Sequence, residues 1–388
     1  MAMTPRRRML TALTRGVPDR LPVTTHHVMQ YFLDTYMNGV TDQEFFDFFE
    51  LDAWLWTTIC RPDAERGQFS DPTDVTPGFL SGRRVVSDEW RISTEELEDP
   101  QFDTVRYRID TPKGALSMVV QSNEYTSWVA EFLVKEKRDI DLIAAYAPHP
   151  ICDAEAINRL ADAFGERGLI RGVVIPFDIY GQPGCWQDAC CLVGTERLIY
   201  ETFDDSAWVH ELIQVVGERK KTYLRSLKGV RFDLLELGGG DASSTVISPK
   251  IFDEFVAPYD CQLIDLAHAM GQRIVYHTCG GMMPFLERIA GLNPDAMETF
   301  TPANMGGDTR LAEAKARVGD KVCMIGGFDQ FHFLLGCTEE ETRAEVRRCF
   351  EEAGPRGGYI LSPSDHFFDA DLNLITAFAD EARRCVYI

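Results

Sequence analysis

His277 and Cys279 stand one residue apart at the end of a short β-branched run, Arg273-Ile274-Val275-Tyr276-His277-Thr278-Cys279-Gly280-Gly281. Side chains alternate faces along a strand, so the imidazole and the thiol leave on the same side. They form a pair of zinc-type ligands at a spacing one metal ion can bridge. The glycine turn lets the backbone approach closely, and a helix over about Met282 to Ile289 follows. The competing reading is a buried His and a buried Cys that merely close a core strand.

A catalytic zinc site needs a third protein ligand and one open position. Ser364-Asp365-His366, after a run Tyr359-Ile360-Leu361-Ser362, offers a carboxylate and an imidazole. Glu236, from the strand before His277, is a rival. We take His277, Cys279 and His366 as the candidate metal ligands, and Glu236 and Asp365 as the candidate catalytic carboxylates. Tyr180, Trp186 and Glu298 are the candidate substrate contacts. Each has an ordinary alternative: packing for the aromatics, a salt bridge for Glu298, capping of a turn or helix for Asp365. His26 and His27 follow the first strand and read as polar lining of a cleft. Cys190, Cys191 and Cys323 read as core, and no G-x-S-x-G elbow is present.

These residues must be carried by a scaffold. The pattern predicts strands over Leu21–Thr25, Asp52–Thr58, Leu169–Ile175, Phe232–Leu237, Arg273–His277, Ala296–Phe300, Lys321–Gly327 and Tyr359–Ser362. Helices alternate with them, including Ala154 to Phe164, Ser206 to Leu227, Ser248 to about Met270, Leu311 to Val318, Thr338 to Glu352 and Leu372 to Cys385. Such alternation means parallel pairing with right-handed crossovers. About eight units over 388 residues fit a closed (β/α)8 TIM barrel, whose active site lies at the C-terminal strand ends. Residues 66–136 break the rhythm with short strands around Thr111-Pro112-Lys113-Gly114. They are expected to be a β-rich insertion decorating a single barrel domain that spans the chain. Gly238-Gly239-Gly240 is not a G-x-G-x-x-G fingerprint, which argues against dinucleotide binding.

Composition narrows the function classes. Apolar residues make up 45% and charged residues 26%, as in soluble globular chains. No apolar run is long enough to span a bilayer. A formal charge of −22 argues against nucleic acid or an anionic membrane as partner. The 11 cysteines are an odd number in a long chain with no visible secretory signal, so reduced thiols in a cytoplasm are expected. The basic start is read as a helix, with Thr4 as its cap and Pro5 at its first position.

Several of these words together resemble the uroporphyrinogen decarboxylase superfamily, over most of the chain. The opening Thr4-Pro5-Arg6-Arg7-Arg8, then Pro18-Asp19-Arg20-Leu21-Pro22-Val23, is similar to the family's start. Ile247-Ser248-Pro249 with Phe255-Val256-Ala257-Pro258-Tyr259 resembles the helix before the metal strand. Gly326-Gly327-Phe328-Asp329 and Tyr359-Ile360-Leu361-Ser362-Pro363-Ser364 resemble the last two strand ends. His277-Thr278-Cys279-Gly280 looks like the His-x-Cys-Gly of the zinc- and cobalamin-dependent methyltransferase branch.

The resemblance implies the barrel, Zn2+ on His277 and Cys279, and a corrinoid (cobalamin) carried by a partner protein. The zinc would polarise the oxygen of a methoxy group on a small methyl donor, an aryl methyl ether being favoured by the aromatic-rich mouth, or would bind a thiol. In that branch a further Cys after the last strand binds zinc. Here the position falls within Ser364-Asp365-His366 and holds no Cys. The decarboxylase branch fits less well, because Thr24-Thr25-His26-His27-Val28-Met29-Gln30-Tyr31 lacks the arginines that would hold a polycarboxylate. Two alternatives stay open: a metal-independent decarboxylase or lyase using Asp241 or Asp365, and a non-catalytic barrel binding a corrinoid or tetrapyrrole. A homodimer is compatible with all of these.

Overall fold

In a computed structural model, which describes residues 2–74, 80 and 82–387, seven parallel strands follow one another around a curved sheet. They are Ala53–Trp56, Gly168–Val173, Leu234–Gly238, Ile274–His277, Ala296–Thr299, Cys323–Gly326 and Tyr359–Ile360. The expected first strand, Leu21–Thr25, is reduced to a single parallel bridge between Val23 and Leu361. That bridge still closes the ring. Thr24 N donates to Leu361 O and Leu361 N to Pro22 O, each at 2.9 Å, while Asp52 N donates to Val23 O at 2.7 Å. The ladder is short for a chemical reason. Pro22 has no N–H, and the Val23 N–H is taken by the Asp52 carboxylate at 3.0 Å. The architecture is the expected TIM barrel.

Six of the seven strands are buried at every residue, as parallel strands covered by helices are. The floor of the barrel is locked by charge. Asp52, fully buried, receives Arg8 at 2.5 Å and Arg20 at 2.9 Å, and Arg6 clasps Asp233 with both terminal nitrogens. Arg6 and Arg8 come from the Pro5–Leu13 helix, whose Thr4 cap accepts from Arg7 N. The helices Ala154–Phe164 and Leu311–Val318 fall where the pattern predicts them. The long helix after Ser248 is interrupted. A wide π turn over Phe252–Val256 separates Pro249–Ile251 from Ala257–Ala269. Pro258 supplies the cause, since it cannot donate back to the Glu254 carbonyl and the helix widens around the missing bond.

The insertion is a four-stranded antiparallel sheet, Arg91–Leu97, Asp103–Thr111, Gly114–Ser122 and Ser127–Glu131. Its hairpin turn lies at Thr111–Gly114. The expected bounds of 66–136 include residues 75–79 and 81, which lie outside the described residues. One face buries Ile109, Leu116 and Met118 against the body of the protein. Tyr107, Val120 and Ser127 from this sheet wall the cavity above the strand ends. No helix among the described residues is long and apolar enough to cross a membrane.

Candidate functional site

A cavity of about 690 Å³ opens where the barrel strands end. It is lined by His26, His27, Glu236, His277, Cys279, Asp365 and His366, among others. Strand register brings this set together. His277 is the Cα partner of Gly238 on one side and of Glu298 on the other. A carboxylate therefore stands directly beside the imidazole, and His277 Nδ1 meets Glu298 Oε1 at 3.0 Å. The Nδ1–H donates to the carboxylate, which orients the ring; in the neutral form of the imidazole the lone pair is then on Nε2. The Cys279 thiol lies beside the same imidazole on the cavity wall. Gly240 makes room for it, because a Cβ there would lie 2.6 Å from Cys279 Sγ.

Beneath this pair lies a buried charge stack that centres on Arg171. Its guanidinium is fully buried and donates to Glu298 Oε2 at 3.0 Å, to Glu298 Oε1, and to Glu236 Oε2 at 2.8 Å. The rings of Trp54 and Trp56 cover it at 4.4 and 4.2 Å, where a weakly hydrated guanidinium gains from aromatic faces. Both indole N–H groups donate to the carbonyl of His26, at 2.9 and 2.7 Å. His26 Nε2 in turn faces Glu298 at 3.4 Å and Glu236 at 3.7 Å.

Protonation follows from these neighbours. Burial pushes Glu236 up, but His277, His26 and Arg171 outweigh it and hold the carboxyl at about 2. Burial likewise opposes ionisation of Glu298, and Arg171 and His26 overcome it, so Glu298 lies well below the usual range. Burial pulls His277 down while Glu236, Cys279 and Glu298 raise it well above its ordinary value. His26 and His27 share one proton across an Nδ1···Nδ1 contact of 2.7 Å. Burial disfavours the charged form of both rings. Glu298 nevertheless raises His26, whereas His27, beside His26 and His366, is driven well below its ordinary value. His26 is thus the charged donor and His27 the neutral acceptor.

The residues expected from sequence are not all brought together. His277 and Cys279 are adjacent and face the cavity. His366 also lines the cavity, but its ring stacks on His27 at 5.1 Å and its Nδ1 meets Asp365 at 2.8 Å. The compact donor group among the described residues is instead His26, Glu236, His277 and Glu298, with ligand atoms within 4.8 Å of one another. Glu298 is buried under the floor and committed to Arg171 and His277, so it is not positioned as a substrate contact. Trp186 is not one either. It is fully buried against Phe255, and its N–H donates to Asp241 O at 3.1 Å, while its neighbour Gln187 lines the cavity. Tyr180 does line it, with its hydroxyl donating to Ser127 O at 2.9 Å. Sequence reasoning missed Arg171. Its signal was a lone charge inside the apolar run Leu169 to Ile175, which parallel barrel strands tolerate only when the charge is paired.

The donor chemistry fits zinc at the upper edge of this stack. An imidazole with its far nitrogen held by a carboxylate, beside a thiol, is a zinc-binding arrangement. The deeper group suits a metal less, because Arg171 already supplies the cation its two carboxylates require.

The (β/α)8 barrel has counterparts among known proteins. A methyltransferase from Methanosarcina mazei superposes with a TM-score of 0.62 over 98% of this chain and 99% of its own, at 13% identity, which establishes the shared fold. Uroporphyrinogen decarboxylase of Alcanivorax borkumensis is 25% identical over 56% of this chain and 62% of its own length. That of Thioalkalivibrio sulfidiphilus is 26% identical over 47% and 50%. The chain thus spans between half and about three fifths of these relatives' length. The family pattern for uroporphyrinogen decarboxylase (URO-D) matches residues 134–385, a stretch that carries six of the seven sheet strands and every candidate site residue read from the sequence. By that match the chain belongs to the uroporphyrinogen decarboxylase family.

Proposed function

We propose that this protein is a zinc-dependent methyltransferase that moves a methyl group from a small methoxylated compound to a corrinoid carried by a partner protein. The observation that carries the reading is the His277 imidazole, locked through Nδ1 onto Glu298 at 3.0 Å with the Cys279 thiol against it, at the base of a cavity large enough for a ring-sized substrate. Zinc held by His277 and Cys279 would act as a Lewis acid on the ether oxygen. The chain's own residues prepare that position. Glu298 sets the tautomer of His277, and Arg171 keeps Glu298 ionised in a buried place. Glu236 and Asp365, both held far below neutral pH, serve as fixed negative charges and do not shuttle protons. The insertion and Tyr180 wall the substrate from solvent. Work in the cytoplasm and a corrinoid-protein partner accompany this reading.

Metal-independent decarboxylation is the second reading, favoured by the names of the curated relatives. One experiment separates the two. Wild type and Cys279→Ser are purified with added zinc and assayed by elemental mass spectrometry and by methyl transfer to a reduced corrinoid protein. The expected result is about one zinc per wild-type chain, lost in the variant together with transfer. A metal-free chain with full decarboxylase or lyase turnover would overturn the methyltransferase reading.

A further inference from the structure

The inserted segment brings a second kind of chemistry to the cavity. Arg83 lines it. Its guanidinium makes one hydrogen bond, from Nη2 to the Ile179 carbonyl at 3.2 Å, although it carries five N–H donors. Among the described residues no carboxylate lies within 4.0 Å of it, whereas its charged neighbours are matched. Arg84 holds Asp71 at 2.6 Å and reaches Asp74 at 4.0 Å; Arg219 holds Asp178, and Lys220 holds Asp188 at 2.8 Å. Burial pulls the Arg83 pKa down, with Asp178 and Asp74 only partly restoring it and Arg219 opposing it. Taking a cation out of water without a close counter-ion is unfavourable.

The group is also held in place. Its backbone carbonyl accepts from Arg219 Nη2 at 3.2 Å, and the Ile179 carbonyl belongs to the loop that carries Tyr180. A rigid, under-paired guanidinium in a cavity wall is a ready half of a bidentate pair. The same cavity is also lined by the aromatic and apolar side chains of Tyr107, Tyr180, Ile179, Leu80 and Val120.

We propose that Arg83 is the residue that selects the substrate, by pairing with a carboxylate on a ring-sized organic acid. The inference rests on reading this cavity as the substrate site. It deepens that reading by choosing an acid over a neutral ether of the same size. It also changes the argument from the first strand end. The segment from Thr24 to Tyr31 has no arginine, but the fold supplies a cation to the same cavity from the insertion.

The test measures binding, not turnover. Titration calorimetry compares 4-methoxybenzoate with 4-methoxybenzyl alcohol, its near-isosteric neutral partner, on wild type, Arg83→Gln and Arg83→Lys. The expected result is that wild type binds the acid ~10–100-fold more tightly than the alcohol. Arg83→Gln should lose that preference while keeping its affinity for the alcohol, which shows an intact cavity, and Arg83→Lys should retain part of it. Equal affinities in wild type, an undiminished preference in Arg83→Gln, or no binding of either compound would overturn the proposal. If the acid binds through Arg83 but no methyl group is transferred, the methyltransferase reading fails and this one stands.

Discussion

Replacing Glu298 by Gln removes one negative charge at almost constant shape, and the structure sets out two consequences. Glu298 is 1% exposed and takes two hydrogen bonds from Arg171 while accepting from His277 Nδ1 at 3.0 Å. An amide has one oxygen and one NH2. If the oxygen stays on Arg171, the NH2 faces His277 and donates to Nδ1, so the imidazole proton moves to Nε2. That nitrogen then no longer offers a lone pair to a metal. Loss of a carboxylate that orients a ligating His costs about 10–100-fold in metal affinity. Arg171 also keeps only Glu236, at 2.8 Å, as a charged partner. Breaking a buried pair costs roughly 3–5 kcal/mol, and the surviving Glu236 contact places this case near ~3 kcal/mol. A drop of that size lowers the melting temperature of a chain this long by ~3–6 °C. Zinc affinity is measured by competition with a chromophoric chelator at 20 °C, where the variant is still folded, and the melting temperature by calorimetry. A variant that melts lower but binds zinc as wild type does would refute the orienting role and leave Glu298 as a brace for Arg171 alone.

Two further substitutions test separate parts of the argument. Gly240→Ala places a methyl group where the Cβ would lie 2.6 Å from Cys279 Sγ, so zinc affinity should fall more than ~10-fold with little change in melting temperature; unchanged zinc binding would show that the thiol is not a ligand in this position. Asp260 is buried and accepts from Tyr276 OH at 2.8 Å, and burial pushes its carboxyl up to about 6 from an ordinary 3.8. The folded pKa is raised, so its folded form is favoured below pH 3.8 and stability is lost as pH rises toward 6. Asp260→Asn keeps an acceptor for Tyr276 and should gain on the order of 1–3 kcal/mol at pH 7 but nothing near pH 4, read from urea melts at the two pH values.

The barrel and its mouth were legible because βα alternation and strand-end polarity are local signals. His277 and Cys279 were legible for the same reason, since two residues on one strand share a face whatever the rest of the fold does. Arg171 and Glu298 were not. They are 127 residues apart in sequence, and only the register of three successive strand pairs lays one beside the other. Trp186 failed by one helical position. The Cys185–Val193 helix is buried at every position but Gln187, so composition could not tell which side faces the cavity, and Gln187 does. His26 looked like polar lining because its strand is a single bridge. The closure that brings it over the axis depends on Asp52 reaching Val23 from the next strand.

The same closure explains why a charge stack can exist here at all. A barrel interior is normally filled by layers of apolar side chains, and two carboxylates facing inward from the strands on either side of the His277 strand would be expelled from it. Arg171 makes them compatible with burial, and the indoles of Trp54 and Trp56 shield the guanidinium from water on the remaining side. Trp54 and Trp56 reach the His26 carbonyl only because the first segment closes onto the second strand. The fixed negative potential that results is aimed upward, at His277 and the cavity floor. A neutral imidazole there is an anchored ligand, and a charged one is a buried cation beside two carboxylates. Arg83, on the opposite kind of wall, is under-paired and electropositive. A cavity with an ion-stabilising floor and an under-paired guanidinium in its side has two poles, and a molecule with a carboxylate at one end and an ether oxygen at the other would satisfy both.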